Sequence, residues 1–248
     1  MKSWIPNTWF IFKREFIGYF TTPVAYVFLV IYLVLQAAFT WGIGQLYESS
    51  QAHLYPFFNY HPWFLLFLMP GLGMRLWAEE RRSGTIELLL TLPIQTSQAV
   101  VGKFLAAWAF FGVALVLTFG EWLTVWWLGG PDHGVILVGY VGTFLLAGAY
   151  LAISACASAL SKNQVIGLVI GVVVCFLFML SDFPMVVNAV DALGIDALTD
   201  AFQQISFRTH YQNLLRGVIE ARDVAFFGAL IGTCLYVNTA LVQMKKAS

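Results

Sequence analysis

Residues with chemical potential are sparse in this sequence, so their placement matters more than their number. Glu121 is the one acid embedded in an apolar run, LTFGEWLTVWW. An ionisable group so deep in apolar sequence is a candidate proton or substrate site. Counted along a helix from Lys103, however, it lies roughly 27 Å away, near the outer edge of a span. That depth favours a structural hydrogen bond or a snorkelling carboxylate. His53, His61, His133 and His210 are scattered over three expected outer loops without an H-E-x-x-H or comparable metal spacing; hydrogen-bonding roles suit them better than a shared metal. The stretch AVVGKF (Ala99 to Phe104) has the ending of a phosphate loop but Ser97 where the first glycine belongs, and Phe104 where Ser or Thr would follow the lysine. Lys103 is therefore read as an interface anchor, and no nucleotide site, metal site or catalytic set is expected in this chain.

Charge gathers instead in LWAEERRSGTIELLLTLPIQTSQAVVGKF, Leu76 to Phe104. Gly84 should stop one helix and Pro93 the next. Between them TIELLLTL offers two turns of good helix formers, with Glu87 in the favourable first turn. Ile86, Leu89, Leu90 and Pro93 share a face, and Leu88 and Leu92 widen it. Thr96 or Ser97 can then cap a new helix leading through Lys103. An apolar knob held by charged arms suits docking to a soluble partner; the alternative is a helix resting on lipid.

The elements that position this loop follow from composition. Of 248 residues, 60% are hydrophobic, 17% aromatic and 10% charged, with a mean hydropathy of +0.78; soluble domains carry about 25% charged residues. The thirteen basic and thirteen acidic residues balance, which gives no argument for nucleic-acid binding. Cys156, Cys175 and Cys234 lie in apolar runs without CxxC spacing and read as inert thiols. The expected class is an all-α integral membrane protein, a single transmembrane domain over 1–248 without a cleaved signal. Apolar stretches near 23–44, 57–77, 104–128, 134–160, 164–182 and 224–243 each approach the roughly 20 residues that cross a bilayer. That makes six transmembrane helices.

With the N-terminus inside, Lys2, Lys13, Arg14, Arg75, Arg81, Arg82, Lys103, Lys162, Lys245 and Lys246 share one side, and only Arg208, Arg216 and Arg222 the other. The bias puts both termini and the 78–103 loop in the cytoplasm, most acids, such as Glu48, Asp132, Asp191, Asp196 and Asp200, lying outside. Residues 1–22, with Lys13, Arg14 and Glu15 among aromatics ahead of Pro23, suit an N-terminal interfacial helix. Residues 183–222 are too polar to span and predict short outer helices between the last two spans. Gly167-x-x-x-Gly171, Gly228-x-x-x-Gly232 and the Gly148, Ala152, Cys156 face predict close helix packing within one subunit, with dimerisation as the other use.

EERRSGTIELLLTLPIQTSQAVVGKF resembles the cytoplasmic loop of ABC transporter type 2 permeases, particularly the GldF-like and NosY-like subfamily, and HYQNLLRGVIEARDVAFF (His210 to Phe227) resembles the approach to their last span. The resemblance covers nearly the whole chain. It implies a permease in the bacterial inner membrane without ATPase activity of its own. ATP and Mg would be bound by a separate ABC ATPase subunit. Thr85, Ile86, Glu87, Leu88, Leu89, Leu90 and Leu92 would form the coupling helix seated in that subunit, with Glu79, Glu80, Arg81 and Arg82 as the charged arm, pairing with the ATPase or with Lys13, Arg14 and Glu15. A second permease chain, as homodimer or heterodimer, would complete the path, and a periplasmic component could join it. The residues alone leave open an ion-coupled secondary transporter, for which only Glu121 offers a candidate, and a membrane anchor of an ATPase-driven envelope or motility complex.

Overall fold

A computed structural model describes residues 4–46, 53–84, 94–192 and 196–244, with the side chains of 83 and 196–200 excepted. Every regular element among them is helical. Helix α1 (Trp4–Thr21) ends ahead of Pro23, which opens α2 (Pro23–Ala37). Thr22 is extended there, as the residue before a proline prefers, so the chain turns an elbow. A π-helical segment, Ala38–Ile43, finishes the α2 span. Next come α3 (Tyr55–Asn59), α4 (His61–Gly73), α5 (Arg75–Ser83), α6 (Thr96–Leu117), α7 (Phe119–Leu128), α8 (His133–Leu160), α9 (Gln164–Leu180), α10 (Pro184–Asp191), α11 (Asp196–Ile205), α12 (Phe207–Leu215) and α13 (Ala221–Met244).

Helix α8 is the axis around which α4, α6, α9, α12 and α13 pack. Asp132 starts it, accepting from the backbone amides of Gly134 (2.9 Å) and Val135 (3.3 Å). Glycines let its neighbours approach. A Cβ at Gly139 would stand 2.7 Å from the Phe58 ring, and one at Gly148 2.8 Å from the Trp108 indole. In lipid, association rests on such close packing because burying apolar surface brings little. Gly167 and Gly171 press against Ser158 and Ser154 of α8 as expected. Gly228 and Gly232 do not pack against any of the described residues: a Cβ at either meets nothing within 4 Å. Their face of α13 points away from the bundle.

Among the described residues, four helical stretches are long and apolar enough to cross a membrane: Pro23–Ile43, Thr96–Leu128, His133–Leu160 and Ala221–Met244. The pair Gln164–Leu180 and Pro184–Asp191, bent by 69°, would make a fifth. The expected span at 57–77 is the exception, being divided among α3, α4 and α5. Pro62 sits in the first turn of α4 and Pro70 inside it, where proline leaves one ladder bond unmade. The break after Gly73 has a further cause, described below.

Candidate functional site

The charged arm is α5. It leaves α4 at Met74 and stops at Gly84, whose φ of +73° is the left-handed conformation that glycine adopts without strain. At the junction, the Ser158 hydroxyl of α8 enters the helical ladder. Its Oγ accepts from the Trp77 and Ala78 amides, both at 3.1 Å, and donates to the Met74 carbonyl at 2.7 Å. In an unbroken helix the Ala78 amide would bond the Met74 carbonyl, so the hydroxyl stands in for a missing rung. One turn on, Arg81 donates to the Ala159 carbonyl at 2.8 Å. A guanidinium at the C-terminal end of α8 also meets the negative end of that helix's dipole. The root of the arm is thereby pinned to the central helix, with Leu76, Trp77 and Ala78 buried and Glu79 and Arg82 exposed.

Lys103 ties the arm to two further elements. Only 4% exposed, it reaches Glu80 of α5 at 2.7 Å and Glu15 of α1 at 3.3 Å, and lies 5.7 Å from the centre of the Trp77 ring. Arg14 adds a 2.6 Å contact to the same Glu15 oxygen. Burial acts to raise the Glu15 carboxyl, but Lys103 and Arg14 more than offset it and hold the group below its ordinary value. Gly102 permits the approach, since a Cβ there would meet Ile11 of α1 at 2.9 Å. Arg75 and Glu79 lie 3.6 Å apart, and Lys13 is exposed. The start of α6 is organised by Gln95, not by Thr96 or Ser97: Gln95 and Gln98 form a reciprocal capping box. Thr85, Ile86, Glu87, Leu88, Leu89, Leu90 and Leu92, the expected coupling helix, lie outside the described residues.

A family model for ABC-2 family transporter proteins matches residues 9–242. The chain belongs to the ABC-2 transporter family. It is a transmembrane permease, and membership implies an ABC ATPase as partner and a lipid bilayer as surroundings. A search of curated proteins finds no match.

At the permease's other end the polar groups sit in separate knots. Trp41, in the π-helical segment, donates to Glu121 at 3.0 Å; the second Glu121 oxygen is buried with no partner among the described residues. His133 accepts from Trp122 at 3.0 Å. His61 and His210 are not loop residues but buried helical ones. His61 faces the Tyr32 hydroxyl at 3.1 Å and the Phe57 carbonyl at 2.7 Å. His210 puts Nδ1 2.6 Å from Asp223 and Nε2 2.8 Å from the Gln204 carbonyl, stacked on Phe226. Both ring nitrogens thus face oxygen acceptors.

From the sequence Lys103 reads only as an interface anchor, and Ser158 and Asp223 carry no assigned role. Lys103 did carry a signal, a lysine opening an apolar span with acids at Glu15 and Glu80 on two segments of the same expected side. Ser158 carried none, because a serine among small residues reads as packing.

Proposed function

We propose that this chain is the membrane-spanning subunit of an ABC transporter, coupling ATP hydrolysis in a separate nucleotide-binding subunit to substrate movement or extraction. The divided stretch at 57–77 serves as one span and α9, up to its bend with α10, as another, which gives six. The bias of Lys and Arg then places both termini and the arm in the cytoplasm of a cell with this inner membrane. Helix α1 lies along the inner interface, and α10 to α12 face the periplasm, where a further component could dock. The loop motif favours the GldF-like and NosY-like branch, and a second permease chain completes the path.

The observation that carries this reading is the rooting of α5. Whatever moves its tip acts on α8 through Ser158 and Arg81, and on α6 and α1 through Lys103. Thr85 to Leu92, directly beyond Gly84, is the segment we assign to the groove of the ATPase, with ATP and Mg held in that partner. Closure of the ATPase dimer displaces this coupling helix, and the arm delivers the displacement to the bundle. Glu121, bonded to Trp41 at the far end, is assigned a structural role.

Leu89→Asp combined with Leu90→Asp tests the assignment. The variant should reach the membrane at normal levels yet neither retain the ATPase on affinity purification nor stimulate its turnover. Normal assembly with normal stimulated hydrolysis would sink it.

A further inference from the structure

A cavity of about 330 Å³ opens between α1, α2 and the α4–α5 junction. Its lining is charged on one part, with Arg14, Arg75, Glu15, Glu79 and the buried Lys103, and apolar on another, with Val24, Phe28, Leu72 and Leu76. Polar groups at one edge and an apolar floor below are the profile of an amphiphile. The rim carboxylates do not consume the donors of the two arginines. Glu15 receives Arg14 through one oxygen, and Arg75 approaches Glu79 no closer than 3.6 Å, beyond hydrogen-bond distance. Each guanidinium carries five N–H donors in a fork that matches phosphate oxygens.

The floor continues outward. Beside it α2 exposes Val24, Val27, Val30, Ile31 and Val34, an apolar strip on which an acyl chain can lie. Two glycines keep the space open from opposite walls: Gly18 of α1 and Gly71 of α4 both line the cavity, and a Cβ on either would meet nothing within 4 Å.

We propose that this cavity binds a glycerophospholipid of the inner leaflet, its phosphodiester held by Arg14 and Arg75 and its first methylenes on Phe28, Leu72 and Leu76. A lipid seated there touches the elbow of α1 and the root of the arm at once, so lipid composition bears on how the arm is set. The inference rests on the proposed orientation, which puts this end at the inner interface, but not on ATPase docking.

The test is native mass spectrometry of the intact permease released from nanodiscs of phosphatidylethanolamine and phosphatidylglycerol. The wild type should retain phospholipid. Gly71→Phe, whose Cβ would meet nothing within 4 Å and whose ring would occupy the cavity, should retain about tenfold less, as should Arg14→Gln with Arg75→Gln, the loss expected when charge-assisted bonds to phosphate go. Equal retention in wild type and both variants would overturn the proposal. So would a thermal shift with inorganic phosphate alone as large as that with lipid, which would make this a phosphate site. The same spectra report subunit stoichiometry: loss of a dimer in Gly71→Phe with lipid unchanged would give the cavity to a second copy instead. Leu89→Asp with Leu90→Asp should leave retention intact, so failure of the docking assignment and failure of this one are separable.

Discussion

At the arm end, one buried lysine gathers carboxylates from two other helices into a cluster, Glu15–Lys103–Glu80, with Arg14 at its edge. At the far end, acids and rings pair off locally: His210 with Asp223, Trp41 with Glu121, Trp122 with His133. The first arrangement ties together segments that the chain itself divides, α1 being set off by its elbow and α5 by the Ser158 wedge. The second consists of single side-chain pairs, each joining two elements. An ionic hub on divided helices lets parts shift together while staying attached; isolated pairs under stacked rings resist shifting at all. The contrast suits a machine driven from one end and braced at the other.

Breaking the hub should have the largest effect. Lys103→Met keeps the apolar stem and removes the ammonium, leaving Glu15 and Glu80 facing each other partly buried. Stripping one partner from a buried ionic set costs about 3 kcal/mol or more. We expect a clear fall in the thermal unfolding midpoint in detergent, with α1 released first, seen as faster proteolysis around the elbow. If the midpoint holds, the cluster does not fasten α1.

The far end should respond less and differently. Asp223→Asn keeps shape but removes the charge that His210 faces, and the neighbouring Asn213 amide, 3.4 Å from the same oxygen, loses strength too. Loss of a charge-assisted bond in a site only 1% exposed costs about 2 kcal/mol. Hydrogen exchange should rise in α12 and the start of α13 while α5 stays protected. Exchange rising at α5 as well would erase the distinction between the ends.

How much of this could be read beforehand differs between the same two regions. The apolar runs announced the helices, Pro23 the elbow and Gly84 the end of the arm, because each depends on local chemistry. The division of 57–77 was hidden. Pro70 hinted at it, but the decisive group, Ser158, lies more than eighty residues away in sequence, and no periodicity reports a hydroxyl borrowed from another helix. Acids and bases of the hub were visible singly, yet their meeting at Lys103 needed the fold. Gly228 and Gly232 misled in the opposite direction, since a packing motif says that a helix can be approached and not by what.

Removing the wedge is a subtler way to question the arm. In Ser158→Ala the Trp77 and Ala78 amides lose their acceptor, but the ladder bond from Ala78 to the Met74 carbonyl can reform as α4 and α5 straighten. The net loss should therefore be about 1 kcal/mol, well under that of Lys103→Met. The clearer readout is geometric: the distance between spin labels at Arg82 and Lys162, both exposed, should shift while that variant stays folded. An unchanged distance would mean that Pro70 and the neighbouring glycines set the bend unaided.

The smallest expected effect is also the most specific to the hub. Glu15 has an ordinary carboxyl value of 4.5 and is held below it. A depressed carboxyl contributes stability that is complete above its unfolded value and is lost as pH falls through its folded one. Wild type and Glu15→Gln should then differ by a constant amount, about 1 kcal/mol for so partly exposed a cluster, at every pH well above 4.5. As pH falls through the lower folded value the two melting curves should converge, because the wild-type carboxyl is then neutral as well. A difference that persists into acid would show that Glu15 acts through packing against Lys103 rather than through its charge. The hub would then be a contact like those at the far end, and the proposed contrast between an ionic driven end and a braced one would fail.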